Sequence, residues 1–193
     1  ARRLFGSDHP YGRSYPAECY DTLTREQLIE FYNSHYTAAG SFVVASGNIT
    51  DEALAALKRI AEGLPSAPIT PTREIPAPVS EGSVHQPFDG TVQTSIRIGR
   101  LLFPRYHDDF IGMQVVATLL GGYFGSRLIR NLREEHGYTY GAYCGVVNFD
   151  ESGYLAISTE VGSEVAEEAI SEIMKEIERL RTEPVSEEEL ENV

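Results

Sequence analysis

Apolar residues along this 193-residue chain recur with two different periods, and the change of period marks its elements. Leu28, Phe31, Tyr32 and His35 fall at helical spacing. The capping box Thr24-x-x-Gln27 opens that helix, because side chain and backbone there satisfy each other's free hydrogen-bonding groups. Residues 41–46, SFVVAS, are a short apolar run ended by Gly47-Asn48, the pattern of a buried strand. A second helix is expected over 51–62, with Leu54, Leu57, Ile60 and Ala61 on one side and Gly63 and Pro65 as its stop. Residues 1–21 show no period; His9-Pro10-Tyr11-Gly12 is a turn signal, and an ordered loop is expected.

Beyond residue 82 the pattern turns to strands. Residues 84–88 read as an edge strand. Val92, Thr94, Ile96 and Ile98 alternate with Gln93, Ser95, Arg97 and Gly99, so a strand with one buried face runs to about Leu102. Asp108 or Asp109 caps a helix bearing Phe110, Met113, Val116, Leu119 and Leu120, which Gly121-Gly122 ends. Another helix spans 126–136 with Gly137 just past its end. Residues 140–149 and 153–161 form a hairpin, its second arm turning Leu155, Ile157, Thr159 and Val161 inward. Ser163 is expected to cap a long helix whose stripe of Ile170, Ile173, Met174, Ile177 and Leu180 packs on a sheet, and Pro184 ends it. Ser186-x-x-Glu189 is a further capping box.

The order after residue 82 is ββ-αα-ββ-α. This predicts an α+β fold, an antiparallel sheet with amphipathic helices packed on one face. Five of the ten prolines lie between Pro65 and Gly82, a semi-rigid linker. Three segments result: an αβα unit over 1–64, the linker over 65–82, and an α+β domain over 83–193.

A formal net charge of −13 disfavours nucleic acid and anionic membrane surfaces as partners. No apolar run approaches the ~20 residues of a membrane span. Cys19 and Cys144 match no zinc or redox spacing; free thiols are expected, and a disulfide between them stays open. The five histidines are His9, His35, His85, His107 and His136, and no two are three or four apart. Neither helical zinc motif of the peptidases is therefore present, nor a nucleophile elbow, a phosphate loop or a dinucleotide fingerprint. Pairing Cys144 with His136 as nucleophile and base is weaker than the plain reading of a small residue packed inside a strand.

The densest chemistry lies in residues 119–141. Arg127, Arg130 and Arg133 recur every three residues along one helix. One reading is a surface helix whose cations suit its C-terminal dipole and are partly neutralised by Glu134 and Glu135. The other uses Gly137, which reverses the chain and allows Tyr140 to return beside Arg133. A guanidinium fork and a phenol suit the gripping of a peptide carbonyl or a developing oxyanion.

Leu120-Gly121-Gly122, Ser126-Arg127-Leu128, Leu132-Arg133-Glu134 and Gly137-Tyr138-Thr139-Tyr140 resemble the second half of pitrilysin/insulinase-family zinc metallopeptidases, of which mitochondrial processing peptidase is a member. His9-Pro10-Tyr11-Gly12, Leu23-Thr24-Arg25-Glu26, Phe31-Tyr32, Tyr36 and Val43-Val44-Ala45-Ser46-Gly47 resemble the close of that family's first domain, and the stretch around Glu187 its return point. The resemblance runs in order over essentially the whole chain. It implies a processing-peptidase-like half, in which Arg133 and Tyr140 of a non-catalytic domain reach a substrate peptide and assist at an oxyanion. Ser126, Arg127 and Gly137 would support them. Tyr138 stands where the family more often has Leu, which leaves the pair undisturbed.

The same resemblance implies that zinc and its ligands belong to a catalytic domain or partner subunit. This segment is expected to hold no metal or other cofactor, to carry no catalytic residue of its own, and to be inactive alone. Its first residue is not Met and its last helix is cut short, the look of a piece of a longer chain. The run 41–46 is then an orphan strand, expected to dock on the second sheet within this chain or, by strand exchange, in a homo-oligomer. A structural or assembly domain of the same fold, and an unrelated α+β binding module, are the alternatives.

Overall fold

The computed structural model describes residues 1–68, 75–78 and 82–193. The chain divides into two units, Ser7–Ala77, and Ala1–Gly6 together with Pro78–Val193. In chain order the elements are α1 (Arg2–Phe5), α2 (Glu18–Asp21), α3 (Arg25–His35), α4 (Asp51–Glu62), β1 (Gln93–Leu102), α5 (Phe110–Gly121), α6 (Arg127–Ile129) continued by a π-turn (Arg130–Glu135), β2 (Thr139–Asn148), β3 (Gly153–Gly162), α7 (Ala166–Thr182) and α8 (Glu187–Glu191). Residues 69–74 and 79–81 of the expected linker lie outside the described residues.

In the unit Ser7–Ala77 local hydrogen bonding decides the helices. The Thr24 hydroxyl accepts from the Gln27 amide at 3.3 Å, and the Gln27 side chain accepts from the Thr24 amide at 2.9 Å. Thr50 caps α4 by accepting from the Ala53 amide. Among the described residues neither α3 nor α4 has a buried residue. Residues 41–46 form no strand, and Phe42 and Val44 are 87% and 80% exposed. The expected docking of this run on the sheet within the chain is overturned. All three strands among the described residues come from residues 93–162, and an apolar run with no ladder beside it does not become a strand. Residues 84–88 are likewise irregular.

The larger unit is α+β, as its pattern predicts. Its antiparallel sheet has the order β1-β3-β2. β1 pairs with β3 in unbroken register from Gln93↔Gly162 to Leu102↔Gly153. Alternation sends Ile96 of β1, Ala142 and Cys144 of β2, and Ile157, Thr159 and Val161 of β3 to one face. There they meet Ala117 and Leu120 of α5, Leu128 and Ile129 of α6, Leu132 of the π-turn, and Ala169 and Ile173 of α7. On the other face Phe5 of α1 is buried, its ring set edge-on against Phe149 and Tyr154 at centroid distances of 5.9 and 6.1 Å.

Two details of α7 depart from the sequence pattern. Ser163 does not cap it: the Ser163 amide donates to the Val92 carbonyl and its hydroxyl accepts from Thr94, so the residue is spent on β1. The buried line is Ala169, Ile173 and Glu176, while Ile170 and Met174 are about half exposed. Glu176 takes an inward place on the helix, accepting from Asn131 of the π-turn at 2.9 Å and, within α7, from Arg179 at 3.0 Å.

Gly121, the last residue of α5, sets the spacing between helix layer and sheet. A Cβ there would stand 2.5 Å from the Cys144 amide nitrogen and 2.8 Å from its Cβ. A side chain at 121 has to push helix and strand apart. Gly121→Ala is therefore expected to lower stability by about 1–3 kcal/mol, read as a fall in the urea midpoint with an unchanged m-value.

Candidate functional site

The segment from Ser126 to Gly141 carries the candidate residues, and three local devices shape it. The first is a buried ion pair. Arg127 donates through Nε and Nη2 to the two carboxylate oxygens of Glu189 at 2.8 and 3.0 Å, with the Arg127 side chain only 6% exposed. Arg130 adds a bond to the same carboxylate at 3.1 Å. Glu189 is delivered by the capping box of α8, in which the Ser186 hydroxyl accepts from the Glu189 amide. The hydrogen bonds from Arg127 hold the Glu189 carboxyl down at about 2; the Ser186 backbone bond helps and burial opposes. Arg127 is thus turned inward, where it anchors the helix and is closed to ligands. Ser126 beside it is fully buried.

The second device is the π-turn. The His136 amide donates to the Asn131 carbonyl at 3.1 Å, five residues back. The His136 ring nitrogen Nδ1 lies 3.0 Å from the same oxygen. Gly137 follows with φ of 68°, a left-handed value that a Cβ disfavours. The Tyr138 amide then closes on the Leu132 carbonyl at 2.8 Å, one residue further back than an α-helical end would close. The wide turn buries Asn131 and Leu132 and leaves Arg133 outside. The Arg133 guanidinium lies over the Phe124 ring, 4.8 Å from its centroid. Phe124, from the turn between α5 and α6, is a neighbour that helical periodicity does not reveal.

The third device is a β-bulge. Thr139 pairs with Val161, and the next paired residue, Ala142, with Thr159. β2 thus advances three residues while β3 advances two. Tyr140 and Gly141 fill the bulge, and Tyr140 emerges 91% exposed, its phenol making no hydrogen bond among the described residues. Arg133 and Tyr140 are therefore two exposed donors on consecutive elements. Arg133 rests on Phe124, and no direct bond joins it to Tyr140 among the described residues.

The remaining chemistry is structural. Burial pushes the Cys144 thiol up to about 12, so it stays protonated at neutral pH and packs in the core. Both cysteines are free. Among the described residues no three His, Cys, Asp or Glu side chains are grouped so that they hold a metal ion, so these residues do not fit a zinc site. Among them, too, no helix is long and apolar enough to cross a membrane.

Comparison with known proteins matches residues 22–193 to the model of the peptidase M16 inactive domain. An uncharacterized zinc protease of Mycobacterium bovis is 32% identical over 162 residues, covering 80% of this chain and 36% of its own length. One from Streptomyces coelicolor is 27% identical over 169 residues, 81% of this chain and 36% of that protein. The crystal structure of a peptidase M16 inactive domain from Pseudomonas fluorescens superimposes with a TM-score of 0.84 at 26% identity, over 99% of this chain and 47% of that one. A protease from Helicobacter pylori shares the fold, with a TM-score of 0.75 at 18% identity over 95% of this chain and 46% of that chain. The chain spans about a third of the length of these curated relatives.

The Arg127–Glu189 pair makes stability sensitive to acid. Glu189 has a depressed folded-state value, so its contribution is complete above the unfolded carboxyl value near 4.5 and is lost as pH falls toward about 2. Unfolding free energy should decline through that window by up to about 3 kcal/mol from this group. In Glu189→Gln that part of the decline should vanish, as measured by urea titrations at stepped pH.

Proposed function

The chain belongs to the peptidase M16 inactive-domain family, and we propose that it is the substrate-gripping, non-catalytic region of a zinc-dependent endopeptidase acting on peptides or unfolded polypeptides. Arg133 and Tyr140 are its working residues. The observation that carries this reading is that both are exposed donors placed on irregular backbone, a π-turn and a β-bulge, features that concentrate at functional sites. The guanidinium offers a fork to a substrate carbonyl or carboxylate. The phenol O–H donates to the carbonyl oxygen as negative charge develops on it. Such a bond strengthens toward the transition state and so raises turnover rather than binding alone.

Neither group is a nucleophile or a customary base at neutral pH. Bond cleavage, zinc and the water it activates are assigned to a catalytic domain or partner subunit of the same family. The exposed Leu28, Phe31 and Tyr32 of α3, Leu54 and Ile60 of α4, and Phe42, Val43 and Val44 favour such a partner, because soluble proteins rarely leave large apolar patches open. The same surfaces are what favour the competing reading, a domain that serves assembly only.

Turnover separates the two. In the intact enzyme, Tyr140→Phe should lower kcat by roughly 10–1000-fold, the range for loss of one oxyanion donor, and Arg133→Ala should mainly raise KM, both measured with an internally quenched peptide. Unchanged kinetics in both variants would leave assembly as the function. The isolated chain should neither cleave that peptide nor retain zinc through dialysis.

A further inference from the structure

Resting on the reading of Tyr140 as a substrate donor, we propose that Thr159 is the positioning residue that points it, by locking the bulge from beneath with the help of Thr139. The argument starts from register. Were the ladder regular beyond the pair Ala142↔Thr159, residue 140 would stand opposite Val161. Val161 faces the core and is 1% exposed, so Tyr140 would turn inward with it. The extra residue gives that place to Thr139 instead and puts Tyr140 outside. Exposure of the phenol is thus a property of the bulge, and whatever holds the bulge aims the phenol.

A bulge leaves backbone groups outside the ladder, and these need partners. At Gly141 both are met by threonine hydroxyls. Its amide donates to Thr139 Oγ1 at 3.1 Å, and its carbonyl lies 2.9 Å from Thr159 Oγ1. Thr139 Oγ1 has a single hydrogen and two carbonyls in reach, Glu160 at 2.7 Å and Gly141 at 2.9 Å; given to the nearer, it leaves the lone pairs for the Gly141 amide and for the Thr159 hydroxyl at 3.0 Å. The Thr159 hydrogen therefore has two acceptors in reach, the Gly141 carbonyl and Thr139 Oγ1. Thr159 is 3% exposed, between Ile157 and Val161 on the inward face of β3. A hydroxyl there costs stability unless it is bonded, and an aliphatic residue would pack there as well. Its bonds all serve the bulge.

The test uses the intact enzyme, the internally quenched peptide, and Thr159→Val, which keeps the shape and removes the hydroxyl. Expected is a roughly 10-fold or greater loss in kcat, the scale on which small misplacements act, with KM little changed. Thr159→Ser should restore most of it. The double variant Thr159→Val/Tyr140→Phe should be no slower than Tyr140→Phe alone, whereas general damage to the fold would add to that loss. Hydrogen exchange at the Gly141 amide reads the lock without activity, and it should quicken in Thr159→Val while the Ile157 amide stays protected. If Tyr140→Phe slows the enzyme and Thr159→Val does not, the positioning role is overturned and the reading of Tyr140 stands. If Tyr140→Phe is silent, the reading of Tyr140 falls and its catalytic consequence with it. Unchanged exchange at Gly141 overturns the lock whatever the kinetics show.

Discussion

The backbone-to-backbone approach of α5 to β2 at Gly121 and Cys144 is the contact on which the larger unit depends. Only a residue without a side chain lets the helix end sit that close to the strand. The chain leaves α5 at that point, so the contact fixes where α6 begins. From there Leu128 and Leu132 reach the core fully buried, and the sheet's inward face is closed by Ala169 and Ile173 of α7. Burial of this face is the main favourable term. The glycine determines at what distance it is realised.

On that frame the polar groups have graded roles. Arg127 and Glu189 are a charged pair taken almost wholly out of water, an arrangement that is tolerable only because the fork and the carboxylate meet in bidentate geometry and Ser186 satisfies the carboxylate further. The pair ties α8 to the start of α6. Asn131 does the same between the π-turn and α7 through Glu176. Arg130 is shared, and Arg133 alone of the three arginines has an aromatic ring and no carboxylate as its described neighbour. Three arginines at even spacing thus come to do three different things.

The backbone departs from regular helix and strand at the two places where an exposed donor is presented. A π-turn and a β-bulge each forfeit regular hydrogen bonds, and here each is compensated locally: Asn131 O and Leu132 O receive the closing bonds of the turn, and threonine hydroxyls take both backbone groups of Gly141. Compensation of this kind lets an irregular backbone keep one conformation.

Much of this was legible in sequence because it is local. The capping boxes at Thr24 and Ser186, the left-handed Gly137, the alternation of β1 and β3, and the helix stop before Pro184 each depend on residues a few positions apart, and each stands in the structure. Arg133 and Tyr140 are singled out by the resemblance to the metallopeptidase family; spacing alone equally allows a plain surface helix. What only the tertiary structure decided depends on distant partners. Residues 41–46 have strand composition and no ladder. Phe5 is core because Phe149 and Tyr154 receive it. α7 turns Glu176 inward to Asn131, and Ser163 is withdrawn from its cap by β1. At the bulge Thr139, Gly141 and Thr159 meet across two strands. Hydrogen-bond accounting within one turn can be read along the chain; register and rotation are settled only when the partner surface arrives, and here those two choices decide which side chains face solvent.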